Sequence, residues 1–169
     1  ITDKESLVKA VRESGLCGLG GAGFPTHIKL NAKNPIDTLV INGAECEPYI
    51  TADYREMIES ADDVIGGIRL IMKNLGIRSA KLAIEANKPD AIRKFTDMTN
   101  NDDSIDVVEL PPLYPQGAEK VIIYNSTGRI VGEGELPADK GVIVINISTV
   151  GFIHRYSQTG MPLVSRRLT

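Results

Sequence analysis

The chain has 169 residues, 42% of them hydrophobic, and a formal charge of −3. A chain of this size removes roughly 70% of its unfolded surface from water, and its slight acidity gives no electrostatic reason to bind nucleic acid or anionic lipid. No apolar run approaches the ~20 residues of a membrane helix, and Ile1-Thr2-Asp3-Lys4-Glu5 is not a signal peptide, so composition points to a soluble, globular, intracellular protein.

The first element is a helix between Thr2 and Gly15, with Leu7, Val8 and Val11 at helical spacing, Thr2 and Glu5 as a capping box and Gly15 as the stop. A glycine-rich loop follows from Gly15 to Leu30. Asp37 to Asn42 is short, apolar and β-branched, as a buried parallel strand is. After a loop to Thr51, Ala52 to Leu75 carries one or two helices with Ser60 as an internal cap, ended by Gly76. Lys81 to Ala86 is a second strand, and Pro89 to Met98 a helix with proline in its first turn. Ile105 to Leu110 is a third strand, Gly117 to Ser126 a helix, Val142 to Asn146 a fourth strand, and Thr149 to Tyr156 a helix. From Pro162 onward a new strand begins. Short apolar strands alternating with helices predict an α/β fold with a mostly parallel four-stranded sheet and right-handed crossovers. Ligands of such sheets sit outside the carboxyl ends of the strands, which directs attention to the loops after Asn42, Ala86, Leu110 and Asn146.

Cys17 and Cys46 are the only cysteines, and His27 and His154 the only histidines. They cannot supply a disulfide framework, a zinc ribbon or an iron–sulfur cluster, and no metal site is expected. Gly18, Gly20 and Gly23 satisfy G-x-G-x-x-G, yet a helix precedes them and Phe24-Pro25-Thr26 follows, which is the wrong setting for a dinucleotide fingerprint. The glycines still allow close backbone approach to a flat or anionic ligand, and Lys29 offers a cation for a phosphate; the plainer reading is a flexible turn. Glu45 and Glu47 flank Cys46 and face one side of an extended backbone, suited to ribose hydroxyls or to an ordinary solvated acidic loop. Asn42 suits an amide-rich ring or a turn. Tyr114-Pro115-Gln116-Gly117 ahead of Glu119 sets an aromatic ring beside a helix start, and Phe24 and Tyr49 are further stacking candidates. No nucleophile–base pair is present and no catalytic side chain is assigned, as expected where the chemistry belongs to a cofactor.

Gly18 to Leu30 (GLGGAGFPTHIKL) and Leu39 to Met57 (LVINGAECEPYITADYREM) resemble the RnfC-like family of Rnf electron-transport complexes and, more distantly, the 51 kDa flavoprotein subunit of respiratory complex I. Tyr114 to Lys120, Ser126 to Arg129, Leu136 to Asp139 and Asn146 to Thr149 continue the resemblance in order, over essentially the whole chain. Cobalamin reductases of metabolosomes and the electron-transfer protein linked to proline reductase share this branch. The resemblance implies a Rossmann-like, three-layer FMN- and NADH-binding domain over residues 1–150. Residues 151–169 would then lead toward a downstream β domain and 4Fe-4S clusters outside this segment.

Carried over by position, Gly18, Gly20, Gly21 and Gly23 wrap FMN with Lys29 near its phosphate, Asn42 and Glu45 face the flavin, and Asn146 and Thr149 close the phosphate side. Phe24 and Glu47 hold the nicotinamide nucleotide, and Gly117 and Glu119 match the glycine and second acid of a Gly-Glu-Glu motif. Ala44, Ala118, Cys17 and Ile145 depart from the complex I pattern; Ile145 stands where the first Asn of Asn-Asn-Val-x-Thr is usual, which removes one possible cofactor contact. The implied function is NADH:acceptor electron transfer through FMN. The implied partners are other subunits of an electron-transfer complex or an acceptor protein, without nucleic acid or direct membrane insertion. The implied location is cytoplasmic, peripheral at the inner membrane face through partner subunits. The alternative is a non-catalytic scaffold domain that has lost flavin affinity.

Overall fold

The computed structural model describes residues 1–17, 25–45, 52–111 and 119–162. Helix α1 (Lys4–Glu13) buries Leu7 and Val11 and ends at Gly15, whose φ of 72° a side chain would resist. Its capping box lies one residue later than the sequence predicts. Asp3 accepts from the Ser6 amide at 2.8 Å, and Ser6 Oγ accepts from the Asp3 amide at 3.1 Å. Thr2 and Asp3 are both good caps, and Ser6 Oγ accepts from the Thr2 amide as well, at 2.9 Å.

A five-residue helix, α2 (Thr26–Leu30), precedes strand β1 (Thr38–Gly43). Helices α3 (Ala52–Glu59) and α4 (Ala61–Leu75) break at Ser60, which makes no side-chain cap, and α4 stops at Gly76. Strand β2 (Ser79–Glu85), helix α5 (Pro89–Met98), strand β3 (Ile105–Leu110) and helix α6 (Glu119–Thr127) follow. A 3-10 turn over Pro137–Lys140 leads into strand β4 (Val142–Asn146) and helix α7 (Ile147–Thr159). Helix α5 and strands β3 and β4 have the predicted bounds. β2 starts earlier because its pairing with β1 begins at Ser79 opposite Thr38. The expected strand after Pro162 lies outside the described residues.

All four strands are parallel, in the order β3-β2-β1-β4. Both faces of β1 and β4 are buried, so these strands read as apolar runs without alternation, while the edge strand β3 is buried mainly at its two ends. Leu39, Ile41, Ile143 and Ile145 point into a large core shared with α1, α4, α5 and α7. Val40, Ala83, Val142 and Val144 point the other way, against Ile122 and Ile123 of α6. The result is a three-layer α/β domain. α7 packs along α4 and runs past residue 150 to Thr159. No described helix is long and apolar enough to cross a membrane.

Candidate functional site

Strands β2 and β3 lie to one side of β1 and β4 to the other, so the order reverses between β1 and β4 and opens a crevice at their carboxyl ends. Asn42 and Asn146 stand directly opposite each other there. Asn42 Oδ1 accepts from the Ala44 amide at 2.9 Å, turning the chain off β1. Asn146 caps α7: its Oδ1 accepts from the Ser148 amide at 2.9 Å and the Thr149 amide at 3.3 Å. Thr149 is buried in the first turn of that helix.

Two carboxylates that composition alone does not single out organise the same edge. Asp53, 8% exposed, accepts from Asn146 Nδ2 at 2.9 Å and from Ser148 Oγ at 2.5 Å, locking the start of α3 to the start of α7. Glu85, the last residue of β2, accepts from the Glu45 amide at 2.7 Å. Glu45 reaches forward to the first turn of α3, accepting from the Tyr54 amide through Oε1 at 2.8 Å. Its Oε2 is buried with no partner among the described residues. Burial, reinforced by the nearby Asp53 charge, pushes the Glu45 carboxyl above the usual carboxylate range, although the Tyr54 amide opposes the shift.

Beside the edge strand β4, Lys29 of α2 donates to the Val144 carbonyl at 3.0 Å, two residues before Asn146, and pairs with Glu119 of α6 at 3.1 Å. This ties α2, β4 and α6 together at one edge. The glycine-rich segment leaves and re-enters here: Cys17 and Pro25 form a β-bridge, so the two ends of the segment meet just before α2. Ile145, which stands where the complex I pattern has asparagine, is 3% exposed and packs in the larger core.

Of the residues singled out from the sequence, Asn42, Glu45, Asn146 and Thr149 lie at or just past the carboxyl ends of β1 and β4, whereas Lys29 and Glu119 meet beside the middle of β4, at Val144. Gly18, Gly20, Gly21, Gly23, Phe24, Glu47 and Gly117 lie outside the described residues, as do Cys46, Tyr49 and Tyr114. No cluster of metal-ligating side chains occurs among the described residues. Sequence reasoning missed Asp53 and Glu85; the one available signal for each was an acid at a strand or helix end.

Comparison with known proteins gives the family and the fold. The profile of the Nuo51 FMN-binding domain family matches residues 11–155. A subunit of the Na(+)-translocating ferredoxin:NAD(+) oxidoreductase complex of Acetobacterium woodii is 45% identical over 169 residues, 99% of this chain and 38% of that protein. The corresponding subunit of the ion-translocating oxidoreductase complex of Rhodobacter capsulatus is 40% identical over 168 residues, 98% of this chain and 32% of that protein. The chain therefore spans about a third of the length of these relatives. Among solved structures, the NAD+-reducing NiFe hydrogenase in its H2-reduced state superimposes with a TM-score of 0.71 at 22% identity, over 93% of this chain and 31% of that one. At that identity the likeness shows the shared fold.

Proposed function

The chain belongs to the Nuo51 FMN-binding domain family, and from that premise we propose that it binds FMN at the β1–β4 crevice and accepts hydride from NADH there. It would act as the electron-entry module of an Rnf-type NADH:acceptor oxidoreductase. The observation that carries this reading is the Oε2 of Glu45, buried with no partner among the described residues, three positions past the Asn42–Asn146 pair. A buried acceptor without a donor is costly, and it fits a ligand rich in N–H and O–H groups, as a flavin with its ribityl chain is. Lys29, fixed by Val144 and Glu119, supplies a cation for the phosphate.

FMN, when bound, supplies a centre that takes electrons in pairs and releases them singly. The chain's own residues orient and neutralise it. Glu45 accepts a hydrogen bond from the cofactor, Asn42 and Asn146 set the crevice width, and Asp53 keeps Asn146 and the start of α7 in place. In the same proposal, Gly18, Gly20, Gly21 and Gly23 wrap the cofactor, Thr149 supports its phosphate side, Phe24 and Glu47 hold the nicotinamide nucleotide, and Gly117 and Glu119 border the site. Electrons leave toward iron–sulfur clusters in regions beyond this segment, within a complex peripheral to the membrane.

The test is a titration of the protein with FMN followed by NADH. A perturbed flavin spectrum that NADH bleaches supports the proposal, and Gly21→Val abolishes it. The second reading, a scaffold domain without flavin, draws on Asn42, Asn146 and Glu45 already making hydrogen bonds within the chain. Absence of any flavin binding, with assembly into the complex intact, would favour it.

A further inference from the structure

The opposite edge of the sheet carries a feature that the flavin reading leaves unused. Where β1 and β2 begin and α6 ends, a cavity of about 400 Å³ opens. Strand starts contribute Thr38, Ser79 and Lys81; the segment after α4 contributes Arg78; the end of α6 contributes Ser126, followed by Arg129. Three cations thus line the cavity against one carboxylate, Asp37. Arg129 is paired with Asp37 at 2.7 Å and also donates to the Lys140 carbonyl at 2.8 Å. Hydrogen bonds from Arg129 and from Thr38 hold the Asp37 carboxyl below the usual carboxylate range. Lys81 is paired with Asp106 of β3.

That leaves Arg78 as the guanidinium in the cavity with no carboxylate among the described residues. The hydroxyls divide the same way. Thr38 donates to Asp37 at 2.6 Å, and Thr127 donates to the Ile123 carbonyl at 2.6 Å. Ser126 Oγ, in contrast, is shut off from solvent in its present rotamer and has no partner among the described residues. A buried hydroxyl without a hydrogen bond is an exception in folded proteins. A turn about χ1 between staggered wells would bring it into the cavity that Ser126 borders. The close of α6 carries partial negative charge, which works against an anion. That is a weaker effect than a charge-assisted hydrogen bond from a guanidinium fork.

We infer that this cavity is a binding site for a phosphate-type oxyanion, held by the Arg78 fork with Ser79 and Ser126 donating, while Arg129 and Lys81 supply the positive surroundings. The occupant is inorganic phosphate or the phosphate group of a small metabolite, a size the cavity accommodates.

The experiment is calorimetric titration of the purified protein with inorganic phosphate, with AMP as a phosphate monoester and chloride at matched ionic strength as the control. Saturable binding is expected, about tenfold weaker in Arg78→Ala, partly restored in Arg78→Lys, and unchanged in Lys9→Ala, which removes an exposed cation of α1 outside both sites. AMP binding more tightly than phosphate identifies a metabolite site, and the reverse order a free-phosphate site. Loss of binding in Lys29→Ala with retention in Arg78→Ala places the anion in the β1–β4 crevice and overturns the inference, as does the absence of saturation. Ser126→Ala gives an independent check by thermal unfolding. Without phosphate it leaves the midpoint unchanged or raises it, and with phosphate it diminishes the ligand-induced rise. A lowered midpoint in phosphate-free buffer, equal to that with phosphate, would instead make the hydroxyl a structural group and overturn its role.

Discussion

Glu45 uses one carboxylate oxygen to cap α3 and leaves the other buried without a partner among the described residues. Its folded pKa lies above the unfolded value of 4.5, so the native state holds the proton more tightly than the unfolded chain. Stability from this group is therefore present at low pH and lost as pH rises from 4.5 through the raised folded value. Glu45→Gln keeps an oxygen for the Tyr54 amide and removes the charge. We expect it to raise the urea midpoint at pH 7 and to flatten the decline above pH 4.5; a lower midpoint at pH 7 would mean that the charge is compensated. Lys29 offers a second residue-scale prediction. Lys29→Ala should weaken FMN binding by about tenfold or more, measured by quenching of flavin fluorescence, with a small change in stability because Glu119 is 41% exposed. Lys29, Asn42 and Glu45 were legible because each is a chemically apt residue beside a glycine loop or a strand end. Asp53 was not: its partners Asn146 and Ser148 lie 93 and 95 residues away, and only the packing of α3 on α7 brings them together.

At the scale of elements, α4 and α7 approach each other closely along their shared face. A methyl group on Gly67 would collide with the Val150 carbonyl, one on Gly66 with the His154 ring, and one on Gly151 with the Glu56 carboxylate. Around these glycines Arg155 binds Glu56 at 2.5 Å and Asp63 at 3.2 Å, and His154 Nδ1 lies 2.8 Å from Asp63. Since the Gly67 obstacle is backbone, Gly67→Ala cannot be absorbed by a side-chain swing. It should cost about 1–3 kcal/mol, in the range of overpacked cores, and appear as a fall of several degrees in the unfolding midpoint. An unchanged midpoint would show that the two helices are free to slide apart. The alternation of apolar strands and helices was readable because the central strands β1 and β2 and strand β4 are largely buried on both faces, and α5 was readable because Pro89 marks its start. Helix α2 was not, since five residues are too few to show a period. The 3-10 turn at Pro137–Lys140 escaped for the same reason.

Taken as a whole, the molecule is a sheet whose centre is better protected than its rim. β1 is paired on both sides, and Leu39, Val40 and Ile41 are fully buried. β3 is an edge strand with Asp106 and Glu109 exposed, charges that discourage pairing with another chain. Amide hydrogen exchange should therefore be slowest across Leu39–Ile41, approaching the rate of global unfolding, and faster in β3 by local opening. Equal protection of the two strands would contradict that gradient. The parallel order was predictable from the alternation of elements, whereas the placement of β4 beside β1, which creates the crevice, rests on long-range pairing that no local signal encodes.

Strand β1 has one end in each of the two sites, Thr38 at the cationic cavity and Asn42 and Gly43 at the crevice. At ~3.3 Å per residue it acts as a spacer that keeps the two ends beyond the distance at which substitutions ordinarily interact. Natural variation or engineering can thus retune one edge while the other inherits an unaltered frame. A chimera exchanging only the segments beyond the carboxyl ends of the strands would change what the crevice accepts and carry the opposite edge through untouched.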